Sequence, residues 1–195
     1  MPPARPKVVA DRFEIEAEAG AGGVGIVYRA LDRATGERVA LKLLLGGDRS
    51  GRFSREAEVL ASLSHPAIVQ HVGHGVTAGG APWLAMEWLE GQTLAARLRE
   101  QGLTIDETLA LARRVAAGLA ALHERGVVHR DVKPTNLFLV RGDPRDVRIL
   151  DFGIVRLLGA EPFTIAGAVL GTPAYMAPEQ AKGKEDIDAR ADVFA

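Results

Sequence analysis

His129-Arg130-Asp131-Val132-Lys133-Pro134-Thr135-Asn136 lies between a long helical pattern and the apolar run Leu137-Phe138-Leu139-Val140. It therefore reads as a loop between a helix and a strand, where rigid elements on both sides can hold catalytic side chains. An imidazole, a guanidinium, a carboxylate, an ammonium and an amide gather within it. A polar surface loop has a similar composition, so the meaning of the stretch depends on what stands before and after it.

The preceding helix opens at Thr104-Ile105-Asp106-Glu107, which has the form of a capping box. It runs to about Arg125, with Ile105, Leu109, Ala112, Ala116, Leu119 and Leu122 along one face, and stops at Gly126. A shorter helix, Thr93 to Gln101, is ended by Gly102. After the loop come strand 137–140, the turn Gly142-Asp143-Pro144 and the strand Val147-Arg148-Ile149-Leu150. This hairpin delivers Asp151-Phe152-Gly153, a carboxylate at a strand end beside a permissive glycine, and Asp151 is a candidate metal ligand. Residues 154–176 are long and irregular, which is uncommon unless such a loop is functional. They close on Ala177-Pro178-Glu179.

Toward the N-terminus, residues 1–12 are Pro-rich and polar and read as a disordered lead-in. Phe13 to Ala17 alternates apolar and polar, as a strand does. It runs into Gly20-Ala21-Gly22-Gly23-Val24-Gly25 and then a second strand pattern, Ile26 to Ala30. The glycines thus lie in a strand–turn–strand hairpin. A Gly-rich turn that opens a helix points to a dinucleotide fold, whereas one between strands points to a flap over nucleotide phosphates. A flexible hairpin tip would look the same in isolation.

The third strand, Arg38 to Leu45, puts Val39, Leu41 and Leu43 on one face and Ala40 with Lys42 on the other. That second face suits a flat ring against Ala40 and an anion at Lys42; a solvated edge lysine is the plainer alternative. Residues 51–63 read as a helix whose inward stripe is Phe53, Leu60 and Leu63. Glu56 falls on this stripe and Glu58 nearly opposite. A buried carboxylate needs a cation, and Lys42 is the candidate, unless Glu56 snorkels at the stripe's edge. Two more strand patterns follow, Ala67 to Val76 and Pro82 to Trp88. Leu89-Glu90-Gly91-Gln92 reads as a connector, and from Thr93 the chain is mostly helical.

The composition sets bounds. In 195 residues the net charge is −1, which gives no electrostatic footprint for nucleic acid or a membrane surface. The absence of Cys excludes disulfides and thiolate metal sites. No apolar run approaches the ~18 residues that would span a bilayer. The N-terminus lacks the apolar region of a signal peptide, so a soluble, cytoplasmic chain is expected.

Taken in order, Gly20-x-Gly22-x-x-Gly25-x-Val27, Val39-Ala40-Leu41-Lys42, Glu56, His129-Arg130-Asp131 with Asn136, Asp151-Phe152-Gly153 and Ala177-Pro178-Glu179 resemble the eukaryotic-type protein kinase family. Lys133, two residues after Asp131, resembles the Ser/Thr branch. The wording of Gly171 to Gln180 is similar to bacterial members. The resemblance covers residues 13–195. It implies an α+β, two-lobed fold: an N-lobe at 13–88 with a five-stranded antiparallel sheet and one helix, a hinge at 89–92, and a C-lobe from 93 to 195. It also implies ATP and Mg2+ as cofactors and Ser/Thr hydroxyls of proteins as acceptors, in signal transduction.

Residue roles follow from the same resemblance. The flap Gly20-Ala21-Gly22-Gly23-Val24-Gly25 covers the phosphates. Lys42, held by Glu56, meets the α- and β-phosphates. Asp131 receives or orients the substrate hydroxyl proton, Lys133 offsets charge on the transferred phosphoryl, and Asn136 with Asp151 holds magnesium. Val27, Ala40 and Phe138 sandwich the adenine, Glu87 and Leu89 offer backbone groups to its edge, and Met86 closes the back of the pocket. Arg130 is a regulatory candidate, because a phosphate at Thr164 would give it a charged partner. Thr172 resembles the hydroxyl that contacts the catalytic Asp and Lys.

Two departures stand out. His71 occupies a strand position that is usually apolar in the family, and it reads as a packing histidine rather than a ligand. The family's C-lobe also continues past the equivalent of Asp192, so the 195 residues resemble a kinase domain cut at the start of its central helix. This keeps a second reading open, a catalytically silent pseudokinase or scaffold that binds nucleotide or partners. A small-molecule kinase is disfavoured by Gly171–Glu179, a segment that shapes a peptide site in protein kinases.

Overall fold

The computed structural model describes residues 7–22, 25–44, 57–58, 61–151, 173–184 and 186–195. They form two compact units. The first comprises the described residues of Met1–Ser62 together with Gln70–Leu89; the second comprises those of Leu63–Val69, Glu90–Arg156 and Ala160–Ala195.

The first unit is an antiparallel sheet of β1 (Val8–Val9), β2 (Phe13–Gly22), β3 (Gly25–Asp32), β4 (Arg38–Leu44), β5 (His71–Val76) and β6 (Pro82–Glu87), in the order β1-β2-β3-β4-β6-β5. Period-two alternation decides its faces. Val39 and Leu41 enter a core with Val9, Phe13, Ala30, Trp83 and Ala85, with Leu43 packed against it. Phe13 and Trp83 meet edge to face at 5.0 Å between ring centres, a contact worth about 0.5–1.5 kcal/mol beyond its buried area. Lys42 shares the other face with its direct cross-strand neighbours Val27 and Leu84. Leu63, on the expected inward stripe of the 51–63 pattern, is buried, and Glu58 is exposed. Phe53 and Glu56 lie outside the described residues.

The sheet has a sixth strand, β1, inside the stretch that composition assigns to a disordered lead-in. Val8 and Val9 pair with Glu14 and Phe13, Val9 enters the core, and Arg12 follows, its N–H donating to Val9 O at 3.2 Å. Arg12 Nε and Nη2 donate to Asp32 Oδ1 and Oδ2 at 2.8 and 2.6 Å, and its guanidinium lies over the Phe13 ring at 4.9 Å. Asp32 is fully buried, so its carboxylate depends on this partner.

In the second unit, β7 (Gly91–Thr93), β8 (Leu137–Val140) and β9 (Val147–Ile149) form a three-stranded antiparallel sheet. Gly91 and Gln92, expected as connector, are therefore paired strand residues. Thr93 caps α1 (Leu94–Glu100) by accepting from Ala96 N–H at 3.2 Å. Both bonds of the Thr104–Glu107 capping box are present at the start of α2 (Ile105–His123).

The buried stripe of α2 agrees in part with the one read off the sequence. Leu119 and Leu122 are buried as expected, joined by Leu111 and Gly118, whereas Ala112 and Ala116 are exposed and Ile105 and Leu109 are 80% and 50% exposed. Alanines and leucines occupy most of this helix's circumference, so spacing alone defines two stripes. Gly118 marks the closest approach. A Cβ there would lie 2.8 Å from Ile149 Cδ1 and 3.1 Å from the Ala67 Cβ, so a larger residue would make the Ile149 side chain and Ala67 give way. Arg114 fastens the same contact, its Nη2 donating to Pro66 O at 2.6 Å and to Asp146 Oδ1 at 2.8 Å. Two short helices, α3 (Pro178–Ala181) and α4 (Arg190–Phe194), follow. Among the described residues no helix is long and apolar enough to cross a membrane.

Candidate active site

The loop 129–136 is held by its backbone. His129 is buried, 1% exposed. Its Nδ1 accepts from Asp131 N–H at 3.2 Å, so the ring proton sits on Nε2, which donates to Leu150 O at 2.9 Å. Burial holds this imidazole below the ordinary histidine range, against the opposing pull of Leu150 O and of the carboxylates of Asp192, Asp131 and Asp151. The neutral ring thus ties the loop to the end of β9.

Arg130 has a left-handed backbone, φ 66°, which costs a non-glycine residue about 1–2 kcal/mol. Three bonds hold it there. Its N–H donates to Asp192 Oδ1 at 2.7 Å, its carbonyl accepts from Gln180 Nε2 at 2.8 Å, and its Nη2 donates to Ile187 O at 3.0 Å. Asp192 Oδ2 also accepts from His129 N–H at 2.8 Å and contacts His123 Nε2 at 2.7 Å. Gln180 is itself oriented by Ala177 N–H, which donates to its Oε1 at 3.1 Å.

This platform presents Asp131. Its Oδ2 meets Lys133 Nζ at 2.7 Å and accepts from Asn136 Nδ2 at 2.9 Å. Oδ1 has no bonded partner among the described residues, and the side chain is 40% exposed. One oxygen is therefore fixed by a cation and an amide, and the other is available as an acceptor. Asn136 sits at the end of a 3-10 turn, Pro134–Asn136, and is buried. Its amide nitrogen is taken up by the Asp131 carbonyl at 2.7 Å and by Oδ2, and among the described residues the amide oxygen has no bonded partner. Leu150 N–H donates to Asn136 O at 2.8 Å, so Asp151, next in sequence and also left-handed at φ 55°, follows directly from the asparagine turn. An amide oxygen and a carboxylate are hard donors of the kind that suit Mg2+. Phe138 is the second residue of β8, opposite Thr93 and Arg148.

In the first unit, Val27, Ala40, Lys42 and Met86 share one sheet face by register: Val27 is opposite Lys42 and Ala40 opposite Met86. Lys42 is 6% exposed. Glu87 Oε1 accepts from Gln70 N–H at 2.9 Å, and Leu89 follows the end of β6. Gly20, Ala21 and Gly22 lie at the exposed end of β2, and Gly22 pairs with Gly25 across the hairpin. The glycines differ in kind. A Cβ on Gly25 would lie 2.2 Å from Leu43 O, whereas a Cβ on Gly20 or Gly22 would meet no non-neighbouring atom of the described residues within 4 Å. Gly25 is a packing glycine; the other two border open space. Gly23, Val24, Glu56, Phe152, Thr164 and Thr172 lie outside the described residues.

Sequence reasoning missed Asp192, Gln180 and His123. They come to the loop from 63, 50 and 6 positions away. Asp192 is the nearest to legible, as a carboxylate in an otherwise apolar helix start that needs buried partners.

The family model "Protein kinase domain" matches residues 13–195. The chain is 38% identical over 199 residues to serine/threonine-protein kinase pkn2 of Myxococcus xanthus, covering 96% of this chain and 24% of that protein. It is 40% identical over 190 residues to PknL of Mycobacterium tuberculosis, covering 94% and 47%. A crystal structure of Rad53 1-466 in complex with AMP-PNP superposes with a TM-score of 0.72 at 29% identity, covering 89% of this chain and 43% of that one. The two-lobed fold with an antiparallel first lobe, the loop geometry and these matches agree: the chain belongs to the protein kinase family, among relatives named as bacterial serine/threonine kinases. It spans less than half the length of the relatives it matches.

Proposed function

We propose that this chain carries the catalytic apparatus of an ATP-dependent protein serine/threonine kinase, which transfers the γ-phosphoryl of ATP to a Ser or Thr hydroxyl of a protein. The observation that carries this is the state of Asp131. Lys133 and Asn136 fix one oxygen of its carboxylate, the other is open, and the backbone beneath it is pinned by Asp192. A carboxylate so arranged accepts a hydroxyl proton as the hydroxyl oxygen bonds to phosphorus and the bond from phosphorus to the bridging oxygen breaks.

The remaining roles rest on the family. Lys133 offsets the charge on the transferred group. Lys42, paired with Glu56, binds the α- and β-phosphates, and the open space at Gly20 and Gly22 lets backbone N–H groups approach phosphate oxygens. Val27, Ala40, Met86 and Phe138 supply apolar surface for the adenine, with Glu87 and Leu89 at its edge. Asn136 and Asp151 would hold Mg2+, which supplies charge neutralisation at the phosphates. Transfer of this kind depends on positioning and electrostatics more than on covalent chemistry, which fits a loop whose backbone carries most of the fixed hydrogen bonds. Rad53, bound to AMP-PNP in its crystal structure, supports nucleotide binding by the shared fold.

The test is transfer of radiolabelled phosphate from ATP to a protein acceptor by the chain in its longer parent, beside Asp131→Asn. Loss of transfer with retained nucleotide binding is the expected result. Undiminished transfer by the variant would remove Asp131 from the role. Nucleotide binding without transfer by either protein would instead favour a binding module.

A further inference from the structure

The first unit contains a histidine pair that the kinase reading does not use. His71 and His74 both lie on β5, the last strand in the described sheet order. Three residues apart, they would face opposite sides of a regular strand. The register between β5 and β6 shifts between His71 and Gly73, and that irregularity brings both rings to one side. His71 Nε2 and His74 Nδ1 stand 3.0 Å apart, with ring centres 5.1 Å apart and ring planes tilted by 54°. Both rings are half-buried.

We infer that His71 Nε2 and His74 Nδ1 form a two-histidine chelating site for one late first-row transition dication, such as Cu2+, Ni2+ or Zn2+. Metal–nitrogen bonds of about 2.0–2.1 Å put two imidazole nitrogens about 2.9 Å apart at a right angle and about 3.3 Å apart at the tetrahedral angle, with tetrahedral ring centres about 5.3 Å apart. The observed 3.0 and 5.1 Å fall within a few tenths of an ångström of these values. A small tilt of the rings is enough to turn both lone pairs onto a common point. Imidazole donors favour Cu2+, Ni2+ and Zn2+, and disfavour Mg2+ and Ca2+, which take oxygen ligands. The site is thus separate in chemistry from Asn136 and Asp151. Among the described residues no third His, Asp or Glu joins the pair, so the remaining coordination positions fall to water. The expectation that His71 is a packing histidine took it alone; His74 supplies what a ligand reading needs.

The test is calorimetric titration of the 195-residue chain with Ni2+ or Cu2+ in excess Mg2+, beside His71→Gln, His74→Gln and a His65→Ala control. The expected result is one site per chain that Mg2+ does not displace. Each Gln variant should weaken it about tenfold or more, the scale on which metal sites respond to loss of their supporting groups, and the control should leave it intact. Electron paramagnetic resonance of the Cu2+-loaded wild type should show two imidazole nitrogens, a reading that does not depend on any variant folding. No binding by the wild type, equal binding by the Gln variants, or a spectrum with fewer than two nitrogens would each mean that the rings form a hydrogen-bonded pair only.

Discussion

Asp192 Oδ1 receives the backbone N–H of Arg130 at 2.7 Å, across 62 positions of sequence. The same carboxylate takes His129 N–H on its other oxygen. Two consecutive amides therefore point at one buried anion, and that is what holds Arg130 at φ 66°. Asp192→Ala should leave both amides unpaired, at about 1–3 kcal/mol each. Asp192→Asn should do less harm to stability, since one acceptor remains, but it faces an amide with a second donor. Urea unfolding of both variants checks the order. An unchanged midpoint for Asp192→Ala would show that the loop keeps its shape without the carboxylate.

The flap glycines separate packing from function. Gly25→Ala forces a Cβ to within 2.2 Å of a backbone oxygen, Leu43 O, and the strands must part, at about 1–3 kcal/mol. Gly20→Ala and Gly22→Ala meet nothing within 4 Å. They should keep the fold and weaken nucleotide binding, because the added methyl occupies the space that phosphates would approach. Thermal unfolding and fluorescent-nucleotide titration of the three variants would distinguish the roles. A stable Gly25→Ala, or a Gly20→Ala of full nucleotide affinity, contradicts this division.

Thr164 carries the regulatory prediction. Arg130 adjoins Asp131, and its guanidinium reaches Ile187 O. A phosphate on Thr164 would compete for that guanidinium with a charge-assisted bond, roughly twice as strong as a neutral one. Thr164→Ala should lower the activity of the longer parent by about fivefold or more, the low end of ordinary coupling between sites. Equal activity of variant and wild type would exclude Thr164 as the switch.

What was legible in the sequence is what short-range rules govern. Alternation placed Val39 and Leu41 in the core and Lys42 on the opposite face. The Thr104–Glu107 box needs only three residues of spacing. The hairpin setting of the glycines followed from the strands on either side. What failed depends on partners far away in the chain. The inward stripe of α2 keeps Leu119 and Leu122 but turns Leu111 and Gly118 toward Ile149 and Ala67, and no periodicity in an Ala/Leu-rich helix carries that choice. β1 pairs Val8 and Val9 with Glu14 and Phe13 and sends Val9 into the core, beside Arg12 held on the buried Asp32 twenty positions on. His71 and His74 converge through a register shift that strand patterning cannot show.

The pH dependence of stability follows from the histidines. In the unfolded chain each titrates near about 6.5. In the folded chain His129 is held lower by burial, and His71 is held at about 4 by burial and by His74. Below about pH 6.5 the unfolded state therefore binds more protons than the folded state, and stability falls as the pH falls. Above that value both states are neutral at these rings and the contribution is flat. For His71 the loss accumulates from about 6.5 down to about 4. Carboxylates add the same sign at lower pH. Asp32, held below its usual range by hydrogen bonds from Arg12, contributes stability that is complete above its unfolded value of about 3.9 and is lost as acid protonates it. The interval between about 5.5 and 6.5, above the carboxylate range, thus reports on these histidines. Urea midpoints measured across it should decline for the wild type and decline less for His71→Gln, which removes one of the two rings. A wild-type midpoint that stays level between those limits would contradict the burial of neutral imidazoles at His129 and His71.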